Sequence, residues 1–437
     1  MHTLQQLQEG DLKGAKTLKI SEGLTHFPIE IFELADTLEV LDLSGNKLSA
    51  LPTDFNRLQK LKIFFCSDNL FEVLPEVLGE CPVLDILGFK SNQITSVPTE
   101  SLGRNLRWLI LTNNKITEMP SSIGNCRRMQ KLMLAGNRLT NLPQELSKCK
   151  NLGLLRISAN LLTALPQWLL SMPKLSWLAF SGNPFHRAPK SDGITSISWD
   201  QLELTNILGE GASGVISKAI WKKNDQTLDV AVKVFKGAMT SDGLPEDEMN
   251  TSIAAGEHTG LVRLLGQIYN HPIYRHGLVM ELIPPSYYNL AGPPSLESCT
   301  RDVFPATALL SVKQVSKIAH TIASVAAHLH SRGIMHSDLY AHNILIDAEG
   351  NTLFSDFGAA CFYDPENRAL ANALERIEVR AFGYLLDDLI CVCDEQQHPA
   401  IAQLGLLKDQ CLNDEVLPRP AFNILEKKLI PEGIRME

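Results

Sequence analysis

One frame recurs through the first half of the chain and decides most of what that half can become. It starts at Leu38-Glu-Val-Leu41-Asp-Leu43, runs on to Asn46 and Leu48, and closes on Leu51-Pro52. It starts again at Leu61, Leu84, Leu106, Met129, Leu152 and Leu175, in steps of 23, 23, 22, 23, 23 and 23 residues. Each copy places an asparagine eight residues after its start: Asn46, Asn69, Asn92, Asn114, Asn137, Asn160 and Asn183. A looser copy from Ala15, with Leu18, Ile20 and Phe27-Pro28, reads as the first. A unit of this length cannot bury its apolar face alone, so neighbouring units must stack into a solenoid. The LxxLxL core supplies one short strand per unit, leucines inward, with strands about 4.8 Å apart in a parallel sheet. The asparagine side chain can satisfy backbone groups that each tight bend leaves unpaired.

This frame resembles the leucine-rich repeat in its short intracellular form, over residues 15–185. The expected fold of residues 1–185 is an α/β solenoid, a horseshoe of about eight repeats with parallel strands on the concave face. Positions two and four residues after each start should face outward on those strands. They include Ile63, Phe65, Ile86, Trp108, Ile110, Met133, Leu154 and Trp177, an apolar stripe where water is expected. A contiguous apolar stripe marks a partner site for a protein or peptide, unless this chain or a second copy covers it.

The period ends near Phe185. Residues 186–199, polar at first with Pro189 and Gly193, read as a linker, and a second domain is expected over 200–437. There Leu202–Leu208 looks like a strand, followed by Gly209-Glu-Gly211-Ala-Ser-Gly214 and more strand. A glycine loop between two strands fits a flap over phosphates better than a helix-opening dinucleotide loop. Lys233 alternates with apolar residues in Val230-Ala231-Val232-Lys233-Val234, so one lysine leaves a buried strand and needs an anionic partner. His336-Ser-Asp338-Leu-Tyr-Ala-His-Asn343 and Asp356-Phe-Gly358 follow, with a hairpin turn at Asp347–Gly350 between them.

These motifs, in this order, resemble a eukaryotic-type protein kinase, with a closing segment (Cys411, Leu417-Pro-Arg419-Pro420) similar to the tyrosine-kinase-like group. The resemblance implies an α+β bilobal fold, N-lobe about 200–282 and C-lobe about 283–437. It implies ATP and Mg²⁺, with Gly209, Gly211 and Gly214 closing over the triphosphate and Lys233 on its α- and β-phosphates. Ile216 and Ala231 join the ATP-binding set, with Met280 as gatekeeper and the Glu281 and Leu282 backbone reading adenine. Asn343 and Asp356 would hold the metal, and Asp338 would orient the acceptor hydroxyl and take its proton. A Glu from the first N-lobe helix should pair with Lys233: Glu248, or else Glu246. Val379–Gly383 resembles the start of the large C-lobe helix, with Glu378 where that helix usually begins with Asp.

Several positions depart from the pattern. Ser337 replaces the Arg of HRD, and residues 359–377 hold no Ser or Thr and only Tyr363. The resemblance is therefore to a non-RD kinase that does not depend on Ser/Thr phosphorylation of this loop. Asp364-Pro365-Glu366 either stands for the usual APE, with Glu366 pairing to Arg419, or that step is lost. Tyr340 and His342 match neither the serine/threonine nor the tyrosine pattern after the catalytic Asp. A serine/threonine protein kinase whose repeats recruit partners or regulate it is the leading reading. The alternatives are a pseudokinase scaffold and a kinase of a small-molecule acceptor. The insert Pro284–Pro305 has no role that the sequence reveals.

Composition narrows the setting. At 437 residues, 44% hydrophobic and 20% charged, the chain can bury more than one core. No run approaches 18 consecutive apolar residues, and the start lacks an apolar core after a basic segment, so neither a membrane span nor a secretory signal is expected. Nine cysteines without a CxxC pattern read as reduced thiols in a cytoplasmic protein. The net charge of −9 argues against nucleic acid for the whole chain. It conceals a basic block: residues 101–190 carry 13 Lys+Arg and 2 Asp+Glu. Such a block could dock on the acidic second domain or on an anionic partner, or be an ordinary solvated surface.

Overall fold

The computed structural model describes residues 1–185, 194–211, 213–223, 226–237, 239–240 and 242–430. They fall into two compact units. Met1–Leu175 and Asn183–Phe185 form the first, and Ser176–Gly182 with the chain from His186 onward forms the second.

In the first unit a short capped helix, α1 (Leu4–Gln8), precedes the repeat strands. These are β1 (Thr17–Lys19), β2 (Val40–Asp42), β3 (Ile63–Phe65), β4 (Ile86–Gly88), β5 (Trp108–Ile110), β6 (Lys131–Met133) and β7 (Leu154–Arg156). Each pairs in parallel with the next, with equivalent residues opposite one another, as in Leu87 beside Leu109. The register follows from the period, because the inward leucines of successive units must align to share one core. Leu41, Phe64, Leu87, Leu109, Leu132 and Leu155 are all fully buried.

The asparagines act as the pattern predicts. Asn114 accepts from the Ile94 N–H at 3.0 Å and donates to the carbonyls of Phe89 and Leu111 at 2.9 and 3.0 Å. Asn46, Asn69, Asn92, Asn137, Asn160 and Asn183 repeat the same acceptance from a backbone N–H one unit earlier. One side chain thus serves donors and acceptors of two consecutive bends, each bond worth about 1 kcal/mol net.

The strand of the last repeat, β8 (Trp177–Ala179), lies in the second unit, as does β9 (Ser196–Ser198). The expected linker is corrected accordingly. Residues 186–193 lie outside the described residues, but 196–198 are a strand that pairs in parallel with Gln267–Tyr269. Gly266 permits this approach, since a Cβ there would sit 2.5 Å from the Ile197 side chain.

The N-lobe sheet contains β10 (Leu202–Glu210), β11 (Gly214–Lys223) and β12 (Gln226–Phe235), then β13 (Leu264–Tyr269) and β14 (Gly277–Glu281). Its order is β10-β11-β12-β14-β13-β9. Helix α2 (Pro245–Ala255) packs Met249 against Phe235 and Leu278. A second cluster, Ile197, Trp221, Val230, Val232, Ile268 and Val279, fills the other face of the sheet.

The C-lobe begins with β15 (Tyr288–Asn289) and α3 (Val312–Ser331), whose Ser311–Gln314 capping box sets its start. Val315, Ile318, Ala319, Ile322, Ala326 and Leu329 form its buried stripe at helical spacing. Short strands β16 (Ile334–Met335), β17 (Ile344–Ile346), β18 (Thr352–Phe354) and β19 (Cys361–Phe362) flank the expected motifs. Asp347–Gly350 is the hairpin turn foreseen between β17 and β18, with Gly350 at φ 72°.

Helix α4 (Arg368–Cys391) corrects the expected start near residue 379. Its middle, Ile377 to Gly383, is buried on every side, so those residues form the centre of a helix that begins ten residues before Glu378. Helices α5 (Pro399–Cys411) and α6 (Phe422–Lys428) close the fold. Among the described residues no helix is long and apolar enough to cross a membrane.

Candidate active site

Antiparallel registry brings the expected nucleotide-contacting residues together. Ile216 stands opposite Lys233, and Ala231 stands opposite Met280. Directly opposed residues share a face, and so do Ala231 and Lys233, two apart on one strand. Ile216, Ala231, Lys233 and Met280 therefore form one patch across β11, β12 and β14, and Glu281 and Leu282 lead out of it. Gly214 closes the loop tightly, because a Cβ there would meet the Val234 carbonyl at 2.7 Å. A Cβ at Gly209 or Gly211 would meet nothing within 4 Å, so both positions border open space.

Lys233 finds its anion in Glu248 of α2, to which it is hydrogen-bonded and ion-paired. The structure thus decides between Glu248 and Glu246. The Glu248 side chain is 4% exposed. Burial pushes its carboxyl above the ordinary range, Lys233 pulls the other way, and the charge of Asp356 adds to the rise. The two carboxylates are neighbours: a Cβ at Gly358 would lie 3.1 Å from Asp356 Oδ1 and 3.8 Å from Glu248 Oε2.

The catalytic-loop motif is held from several sides. Asn343 Nδ2 donates to Asp338 Oδ2 at 2.8 Å and to the Asp338 carbonyl at 3.0 Å. This leaves Asn343 Oδ1 and the exposed Asp356 carboxylate as hard oxygen donors. Asp356 sits at φ 62°, a conformation Asp tolerates better than most residues, and accepts from the Gly358 N–H at 3.1 Å. Ser337, at φ 66°, is also in the left-handed region. Its N–H donates to Glu378 Oε1 at 2.6 Å, and that of His336 to Glu378 Oε2 at 3.3 Å. His330 completes this buried network, with Nε2 2.8 Å from Glu378 Oε2 and Nδ1 2.7 Å from the Tyr363 hydroxyl.

Some residues that build the site carried no signal in the sequence. Asp302, within the insert, accepts from the His342 N–H at 3.1 Å and lies 2.7 Å from His342 Nδ1. Beside it Arg301 pairs with Asp387 and Asp388 of α4. The insert brackets the catalytic loop, which gives it the role its composition hides. Glu366 is exposed on the turn before α4, whereas Arg419, 1% exposed, donates to the carbonyls of Asn413 and Arg376.

The apolar stripe of the repeats divides. Ile63, Phe65, Trp108, Ile110 and Met133 are half-buried, whereas Ile86, Leu154 and Trp177 are buried. For Trp177 the alternative holds, that this chain itself covers the stripe, and no open partner site remains there. Its ring stacks between Tyr340 and Tyr384, with centroids 4.3 and 5.5 Å away.

Comparison with known proteins agrees with both halves. Residues 202–381 match the model of the protein tyrosine and serine/threonine kinase family. Residues 127–185, 37–58 and 105–126 match leucine rich repeat models. Over 278 residues, 54% of this chain and 16% of the relative, it is 26% identical to a probable serine/threonine-protein kinase of Dictyostelium discoideum. It is 30% identical to fibroblast growth factor receptor 1 of Pleurodeles waltl over 175 residues, 37% of this chain and 21% of the receptor. It is 32% identical to leucine-rich repeat and calponin homology domain-containing protein 1 of Mus musculus over 99 residues, 23% of this chain and 14% of that protein. The chain spans about a fifth or less of the length of these relatives. What it shares with them is modular: this chain joins leucine-rich repeats to a protein kinase domain.

Proposed function

We propose that the chain is an ATP-dependent protein kinase of the non-RD kind that phosphorylates serine or threonine hydroxyls of proteins in the cytoplasm. The observation that carries this reading is the formed Lys233–Glu248 pair on the same sheet face as Ile216, Ala231 and Met280. A lysine so placed supplies a fixed positive charge to the nucleotide's phosphates, which is most of what phosphoryl transfer asks of a protein. Asn343 and Asp356 suit a hard divalent cation such as Mg²⁺, which takes few protein oxygens and completes its shell with phosphate and water. When bound, that ion neutralises charge on the phosphates. Asp338 orients the acceptor hydroxyl and takes its proton as the new O–P bond forms and ADP leaves. The likeness to a probable serine/threonine-protein kinase of Dictyostelium discoideum supports serine/threonine acceptors.

Independence from loop phosphorylation rests on Ser337 and Tyr363. The buried Ser337 offers no cation for a phosphorylated loop, and the sole hydroxyl of residues 359–377 is engaged with His330. The half-buried Ile63, Phe65, Trp108, Ile110 and Met133 supply the partner surface of the repeats. Incubation of the full chain with ATP and Mg²⁺, followed by intact-mass measurement, should add one phosphoryl mass or more, and Asp338→Asn should add none. A wild type that also gains nothing would falsify the kinase reading in favour of a binding scaffold. Fragment mapping of the phosphate would then read the acceptor type directly.

A further inference from the structure

Three consecutive residues of the catalytic loop are each pinned by a side chain of different origin. The Ser337 N–H is held by Glu378 of α4, and the Asp338 carbonyl by Asn343 at 3.0 Å. The Leu339 carbonyl accepts from Trp177 Nε1 at 3.0 Å. The first two pins come from within the kinase motifs, and the third comes from the strand of the last repeat.

The grip of Trp177 is built on both sides. Its ring lies 4° from parallel with Tyr340, the residue after Leu339, and 14° from Tyr384 of α4. Tyr384 is itself fixed by the Arg301 and Arg380 guanidinium groups, 4.9 and 5.5 Å from its ring centre. Three residues on, the Phe180 N–H donates to Cys361 Sγ at 3.0 Å. Cys361 stands opposite Met335 in the two-stranded sheet that leads into the catalytic loop. A segment of four residues therefore touches the backbone just after Asp338 and the strand just after Asp356. A loop that carries Ser337 at positive φ keeps that conformation only where its surroundings over-determine it.

We propose that Trp177 is a positioning residue of the kinase: it fixes the Leu339–Tyr340 backbone and through it the carboxylate of Asp338. Positioning rests on the reading of Asp338 as the catalytic base, but its physical half can be measured apart from activity. Misplacement by about 1 Å of a reacting group costs on the order of 100-fold in rate. Trp177→Ala in the full chain should lower the rate of ADP release by roughly that factor, with KM for ATP within about twofold. Trp177→Phe, which keeps an aromatic ring between Tyr340 and Tyr384 but loses the Nε1 donor to Leu339, should recover only part of the loss. Leu178→Ala controls for stability alone, since alternation puts Leu178 on the opposite face of the same strand and it is fully buried. It should lower the melting temperature while the rate per folded molecule holds. Hydrogen exchange across residues 336–343 should quicken in Trp177→Ala and not in Leu178→Ala. The proposal is overturned if Trp177→Ala keeps its rate within twofold, or if both variants lose rate and exchange protection equally. Wild-type ADP release no faster than that of Asp338→Asn would sink the kinase reading, while the exchange data would still decide whether Trp177 holds the loop.

Discussion

The asparagine ladder and the catalytic loop both depend on side chains that satisfy backbone groups, but they recruit those side chains from different distances. Ladder bonds between units reach 20 to 26 residues along the chain, the span of about one repeat. The catalytic loop is held by partners 40, 41 and 162 residues away: Asp302 on His342, Glu378 on Ser337 and Trp177 on Leu339. A ladder bond is made again at every unit, so its loss is confined to neighbouring units. A bond such as Glu378–Ser337 exists once, and the geometry of the loop rests on it.

The largest expected effect is therefore at Glu378. In Glu378→Gln the amide group turns an N–H toward donors that now find a carboxylate. Removing one partner from so buried a network should cost about 3 kcal/mol and most of the kinase rate. The pH dependence has a definite sign. Burial alone would raise the Glu378 carboxyl, but the His330 hydrogen bond and charge and the Ser337 N–H outweigh it and hold it below its ordinary range. Its folded pKa is depressed, so its stabilisation is complete at neutral pH and is lost as pH falls below about 4 toward the folded value. Denaturant titrations of both proteins at several pH values should show a gap that is constant near neutrality and narrows in acid. A gap that ignores pH would mean that Glu378 is not an anion in the folded protein.

A middling effect of the opposite kind is expected at Asn137. Asn137→Ala strips the Ile116 N–H and the Leu111 and Leu134 carbonyls of their partner at once. The cost should be about 2 kcal/mol, and ADP release per folded molecule should stay within about twofold. Exchange should quicken in the two adjoining repeats. A fall in rate as large as that of Glu378→Gln would erase the contrast between the two regions.

The same contrast explains what could be read in advance. The repeats are legible down to their strands and the work of their asparagines, because a period states which residues are equivalent. The kinase motifs were legible because phosphate and metal chemistry demands particular side chains in a particular order. The sequence favours Glu248 over Glu246, and the structure pairs it with Lys233. The supports were not legible. Asp302 sits in a segment with no periodicity, and Glu378 resembles a helix start because a fully buried helix centre carries no polar stripe to mark its length. The outward direction of Trp177 is set by the strand, while what covers it is set by Tyr340, 163 positions later, which no period states.

The smallest expected effect sharpens the comparison most, because it separates holding a segment from switching it. Tyr363 lies in the stretch after Asp356, and its hydroxyl reaches both the ring and the carbonyl of His330, at 2.7 and 3.1 Å. Burial pushes its phenol above the ordinary range, so it stays a neutral hydrogen-bonding group. If its work is only to tie the segment to α3, Tyr363→Phe should cost about 1 kcal/mol, the net worth of such a bond. The ring would keep its packing on His330, so the rate of ADP release should stay within about twofold. If the segment is instead switched by modification, phosphate will be found on Tyr363 in the active wild type, and Tyr363→Phe will lose activity far beyond its loss of stability. The two outcomes differ in which quantity moves, so melting temperature and rate measured on the same preparation decide between them. A stable but inactive Tyr363→Phe would show that this loop, like many signalling elements, gains its conformation from a covalent charge and not from the His330–Glu378 network that holds it here.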